Sequence, residues 1–223
     1  MPSNQSGWFD NLVVATVRLQ PQGQASVYLS ASTNEHPRNA RAIDLIHVVM
    51  KAISELEQFR ADKDDFFAHD HRAPLTSEQQ RKFKGLAYFP MNPALIVKAR
   101  IDRHVEPGVV RMETTKGQEQ VYRRYGVVSF QVDGEATQVT LYESDGGHGL
   151  FLPFRDATSG KETYGAGRYL DLDHQGDEIV IDFNYAYNPY CAYNADWSCP
   201  LPPGENWLKV SIRAGEKNFQ ADG

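Results

Sequence analysis

The chain has 223 residues and a mass of 25.1 kDa, which suits one domain or one domain with an appendage. Hydrophobic residues at 41% and charged residues at 23% are ordinary globular composition, and 17 Gly with 12 Pro exclude collagen and whole-chain disorder. A net charge of −6 disfavours nucleic acid and anionic membranes as partners, and no apolar run approaches the roughly 18 residues of a membrane span.

The opening stretch, MPSNQSGWFDNLVVATVRLQPQ, lacks the basic start and continuous apolar core of a secretory signal. A cytoplasmic location is therefore expected. Residues 1–37 read as separate from the rest. Asn11 to Leu19 is strand-like, Pro21 to Gly23 breaks it, and Ala25 to Ala31 supplies a return strand. The segment is either a hairpin or a partly ordered extension. A lone hairpin is marginal in water, so it is a candidate for homo-oligomer contacts.

Asn39 to about Phe67 is predicted to be one long helix. Ile46, Val49, Met50, Ile53, Leu56 and Phe59 fall three or four apart and define its apolar stripe. The run Asp62-Lys63-Asp64-Asp65 reads as a solvated helix end. His69-Asp70-His71 has too few ligands for a zinc shell and reads as loop; no metal is expected. Thr76, with Gln79 three residues on, has the spacing of a capping box and opens a short helix to about Phe83.

From residue 85 onward, short strand candidates alternate with turn signals. They are Tyr88-Phe89, Ala94 to Ile101, Val121 to Val132, Ala136 to Tyr142, Gly149 to Phe154, Arg168 to Leu172, Glu178 to Phe183 and Leu208 to Ile212. Asp133-Gly134 between two apolar runs is a hairpin signal. The pattern predicts an α+β domain, mostly β: an antiparallel sheet curled into a barrel and covered by the long helix.

Two segments depart from this strand background. Residues 154–170 form a connection longer than a hairpin needs, rich in Gly and charge. Gly160-Lys161-Glu162-Thr163 is not a phosphate loop, because Arg155 stands where that motif needs Gly and Glu162 where it needs Ser or Thr. Residues 182–207 hold four Tyr, two Trp and four Asn. Asn side chains hold irregular backbone, and Tyr rings join an apolar body to one polar end. The segment is either an ordered structural loop or the wall of a binding pocket.

The runs YFPMNPA, LPFRDATSGKETYGAGRYL, DFNYAYNPYCAY and CPLPPGENWLKVSIRAGEK, with FRADKDDFF and APLTSEQQRKFKGL before them, resemble the bacterial and archaeal family of domains of unknown function numbered 1684. The likeness covers about residues 54 to 218, leaves out residues 1–37, and departs from the family mildly at Tyr190, where a second Pro is frequent. It implies a mostly β domain and carries no substrate with it.

Function therefore rests on the residues. The leading expectation is a small-molecule-binding domain whose polar pocket is built by the 154–168 and 182–206 loops. Its ligand would be small and anionic or hydroxylated, held by Arg155, Asp156, Ser159, Lys161, Tyr164, Arg168, Asp182, Asn184 and Asn188, with no cofactor. The alternative is a hydrolase using Asp156 and Asp182 as paired carboxylates. A second alternative is a structural or partner-binding domain in which Asp156 and Arg168 form an internal ion pair. Cys191 and Cys199 close a short loop, and a disulfide between them would contribute about 2.5 kcal/mol if unstrained. The expected cytoplasmic setting favours free thiols instead.

Overall fold

The computed structural model describes the backbone of residues 15–19, 25–29, 38–104, 108–143 and 149–220, with side chains from Met50 onward. The chain divides into two compact units, Met1–Met50 and Lys51–Gly223. In the first, Ala15–Leu19 (β1) and Ala25–Leu29 (β2) pair antiparallel, with Val17 opposite Val27. These pairs fall within the two strands expected from the sequence; the rest of the expected hairpin lies outside the described residues. Val13 and Val14 lie outside the described residues.

Arg38–His69 (α1) runs for 32 residues across the boundary between the units. Ile46 and Val49 lie outside the described side chains. Of the remaining stripe, Leu56 is buried, Ile53 half-buried and Met50 exposed. Phe59 leans edge-on against Tyr185, with ring centres 5.0 Å apart. The expected solvated run holds for Asp62 and Asp65, which are exposed, and fails for Lys63 and Asp64. Lys63 reaches Glu216, and Asp64 accepts the Leu86 amide at 2.9 Å, because the helix lays its charged side on the irregular C-terminal segment. Ser77–Lys82 (α2) follows with its predicted capping box: Thr76 accepts from the Gln79 amide, and Gln79 accepts from the Thr76 amide.

Besides the β1–β2 pair, the described strands form two open antiparallel sheets rather than a closed barrel. Ile96–Arg100 (β3), His174–Gln175 (β9) and Glu178–Asp182 (β10) form one, in the order β3-β10-β9. Val109–Glu113 (β4), Glu119–Val132 (β5), Glu135–Glu143 (β6), Leu150–Phe154 (β7) and Arg168–Leu172 (β8) form the other, in chain order. Among the described residues no strand pairs β8 back to β4, so the large sheet stays open. Leu208 to Ile212, predicted as a strand, is instead an irregular buried segment, its backbone bonded to Arg155 and Ala157 of the loop after β7. β4 and β9 were not anticipated. Asp133 and Gly134, with φ of 50° and 84°, make the tight turn from β5 to β6 that their sequence signalled.

One apolar core joins both sheets. Val128, Val139, Leu141 and Leu152 of the large sheet pack with Ile179 and Ile181 of the small one. Leu208, Val210 and Ile212 close this core from the irregular segment, and Phe183 packs its ring against Phe130 and Phe154. The long helix belongs to a second cluster, where Phe67 meets Leu75 and Tyr193. It covers loops and the connection after α2, not the face of a barrel.

Candidate functional site

The loop after β7 folds onto its own carboxylate. Asp156 accepts from the Thr158 hydroxyl at 2.8 Å and from the Ile212 amide at 2.7 Å, and the Ser159 hydroxyl reaches it at 3.3 Å. Arg168 lies 3.5 Å from the same carboxylate. Its Nη2 donates to the Ile212 carbonyl at 2.7 Å, and its Nη1 donates to the carbonyls of Glu216, at 3.1 Å, and Ala214. Both side chains of this ion pair are 1% exposed. Burial pulls the Arg168 pKa down while Asp156 opposes the shift. A buried charge is tolerated only when paired and hydrogen-bonded, and here the bonds fasten residues 212–216 to the end of β8. Gly167 makes the approach possible: at φ +107°, an added Cβ would sit 2.6 Å from the Phe154 carbonyl oxygen.

The second expected carboxylate has other work. Asp182 caps the short turn Phe183–Tyr185, accepting from the Asn184 amide at 2.9 Å and its side chain at 2.8 Å. Asp156 and Asp182 share no partner. Three buried asparagines act as side-chain straps on backbone. Asn184 accepts from the Asn92 amide and donates to its carbonyl; Asn206 does the same for Thr140 and also holds the Pro153 carbonyl. Asn188 donates to the Lys217 carbonyl at 2.8 Å. Arg155 lies over the Trp207 ring at 4.7 Å, and Lys161 is exposed. Tyr164 faces Cys191, its hydroxyl 3.7 Å from the sulfur. The residues expected to line one polar pocket are thus distributed among an internal clamp, backbone straps and the surface.

A different concavity opens between α1 and the aromatic segment, with a volume of about 640 Å³. Phe59, Lys63, Phe66 and Phe67 form its helix side. Tyr169, Tyr187, Tyr190, Trp197 and Cys199 form the other. Tyr190 and Trp197 meet edge-on with centres 4.9 Å apart. Tyr187 is fixed by its hydroxyl, which donates to Asp171 at 2.7 Å, and Tyr169 by donation to the Pro200 carbonyl. Within the groove lining the Lys63 ammonium lies 4.9 Å from the Tyr187 ring centre and 5.6 Å from that of Phe67, and Asp62 lines the groove beside it. Its ion partner is Glu216, 2.5 Å away and 1% exposed. The other oxygen of Glu216 accepts from the Tyr193 hydroxyl at 2.5 Å and the Asn188 amide at 2.9 Å. Burial and the adjacent carboxylate push the Tyr193 pKa well up, so it stays a donor. Lys63 was hidden in a charged run. The tyrosines and Trp197 were visible as an aromatic concentration, but the expected ligand contacts were drawn from the polar residues beside them.

Cys191 and Cys199 are free thiols within one aromatic cluster. The Cys191 amide donates to the Cys199 sulfur at 3.3 Å. A hydrogen bond from Cys199, joined by the Tyr164 hydroxyl, lowers the Cys191 pKa to about 6 against the resistance of burial; Cys199 is pushed up correspondingly. Among the described residues no group of three or more His, Cys, Asp and Glu side chains is arranged to hold a metal ion, and no helix is long and apolar enough to cross a membrane.

These features define a mostly β protein of two antiparallel sheets with one long helix and an aromatic groove. The family model described as a protein of unknown function, DUF1684, matches residues 81–217, and the chain belongs to that family. It is similar to an uncharacterised protein of Haloarcula marismortui solved by solution NMR: 38% identity, a TM-score of 0.59, and coverage of 77% of this chain and 96% of that one. No curated protein matches.

Proposed function

We propose that this chain is a small-molecule-binding domain and that its site is the groove between α1 and the 187–199 segment. The carrying observation is the groove's composition: rings on both sides, with the Lys63 ammonium and the Asp62 carboxylate as its charged lining groups, in a volume of about 640 Å³. Binding sites of this size are typically apolar with few, fixed polar groups. The ligand class that fits is a flat apolar body bearing an anionic or hydroxylated group. The rings take the body, and Lys63, bound on one side by Glu216, directs its remaining N–H donors to the polar group. The paired-carboxylate hydrolase has no such support, since Asp156 is engaged by Thr158 of its own loop and by the Ile212 amide, and Asp182 by Asn184.

The test is a fluorescence titration with anilinonaphthalene sulfonate, and with uncharged N-phenylnaphthylamine for comparison. Saturable one-to-one binding is expected, tighter for the sulfonate. Trp197→Ala and Tyr190→Ala are each expected to weaken it about fivefold, the scale of one lost aromatic contact. Affinity indifferent to both substitutions would reject the groove as the site.

A further inference from the structure

We propose that Cys191 and Cys199 are a redox-modification site whose reversible disulfide tethers one wall of the groove; the consequence for binding rests on the function proposed above. Four observations converge. The two cysteines are neighbours in space as well as sequence, the Cys191 amide donating to the Cys199 sulfur at 3.3 Å. Cys199 lines the groove itself. The segment between them contains Trp197, and Tyr190 immediately precedes it, so a crosslink encloses or adjoins two of the four aromatic residues on that side of the groove. Cys191 is the more accessible thiol, and the Tyr164 hydroxyl is placed 3.7 Å from its sulfur to stabilise a thiolate. The lowered Cys191 pKa agrees with this geometry.

The chemistry is thiol–disulfide exchange with a low-molecular-weight disulfide such as oxidised glutathione. The Cys191 thiolate attacks one sulfur of that disulfide, and the first glutathione leaves as thiolate. Cys199 then gives up its proton to solvent and attacks the Cys191 sulfur, expelling the second glutathione thiolate. The two protein thiols lose two electrons, which reduce one glutathione disulfide to two thiols. The same steps reverse in excess reduced glutathione. Closing this short loop lowers the conformational freedom of the Tyr190–Trp197 wall.

The experiment equilibrates wild-type protein in buffers of defined ratios of reduced to oxidised glutathione. It reads free thiols, intact mass and proteolytic peptide maps, then anilinonaphthalene sulfonate affinity at each end of the series. The expected result is a peptide pair joined through Cys191 and Cys199, lost in excess reduced glutathione. Cys191→Ser should leave Cys199 a free thiol, and Cys199→Ser should trap the glutathione adduct on Cys191. Dye affinity is expected to differ at least threefold between the oxidised and reduced protein. Two thiols persisting at every ratio, or an unresolved glutathione adduct in wild type, would overturn the site. A disulfide that forms while dye affinity stays constant would overturn its control of the groove. A disulfide with no dye binding in either state would uphold the modification site and reject the binding function.

Discussion

Lys63 of the long helix and Glu216 of the C-terminal segment meet at 2.5 Å, and their pairing joins the helix to the part of the chain that the sheets leave irregular. Glu216 is otherwise held by the Tyr193 hydroxyl and the Asn188 amide. Breaking such a pair from one side strands a buried charge. Lys63→Met is expected to cost about 3 kcal/mol in chemical denaturation. The double change Lys63→Met with Glu216→Gln should cost less than the two single losses combined, since neither charge is then left alone. Simple additivity would show that the two residues are not coupled.

Arg168 is the cation of the internal clamp rather than a ligand contact. Arg168→Met removes the donor from the carbonyls of Ile212, Ala214 and Glu216 at one stroke. The expected loss is about 3–5 kcal/mol, measured by guanidinium unfolding. Anilinonaphthalene sulfonate affinity of the protein that remains folded should be unchanged. A selective loss of dye binding with stability intact would return Arg168 to the ligand site.

Acid should weaken a second contact. Burial pushes the Glu205 carboxyl up, but hydrogen bonds from Arg124, at 2.7 and 3.0 Å, and from the Tyr142 hydroxyl outweigh it and leave its pKa below the ordinary 4.5. A carboxyl lowered by folding stabilises the native state above its unfolded pKa, and that stability is lost as pH falls through the lowered value. The melting temperature of the wild type should therefore drop below pH 4.5 more steeply than that of Glu205→Gln. Parallel curves for the two proteins would remove this pair from acid sensitivity.

The helix contrasts two apolar positions three residues apart. Leu56 is 2% exposed, whereas Ile53 is only half-buried. Leu56→Asp buries an unpaired charge and is expected to cost several kcal/mol or solubility, while Ile53→Asp should stay within about 1 kcal/mol. Equal melting temperatures for Leu56→Asp and the wild type would show that the helix packs by some other face.

The elements most legible in the sequence were those specified by short-range chemistry. The Thr76 capping box, the Asp133-Gly134 turn and the strand Arg168–Leu172 depend on neighbours a few residues away. Closure of the sheet depends on pairing between distant strands, and nothing local in β4 or β8 says whether they meet. The pairing of Asp156 with Arg168 stood only as the alternative to a ligand-binding role, and their burial depends on the segment Ile212–Glu216, whose packing nothing local to either residue announces. The same holds for Lys63. An ammonium in an acidic run looks solvated until a carboxylate about 150 residues downstream is brought to it by the fold.

The irregular stretch 206–218 is encoded after all the groups it locks. Gly215 accepts from the Phe89 amide, Lys217 donates to the Ala87 carbonyl, and Glu216 donates to the Ala186 carbonyl. Asp156, Asn188 and Arg168 hold it by side chains from three other places. A ribosome releases these anchors long before the piece that engages them. Until that piece has cleared the exit tunnel, the growing chain carries the Arg168 guanidinium, the Asp156 carboxylate and an apolar core without the segment that closes it. The interlock made by 206–218 therefore times the packing of the segments it bonds to, so this domain completes only once that stretch has been made rather than element by element.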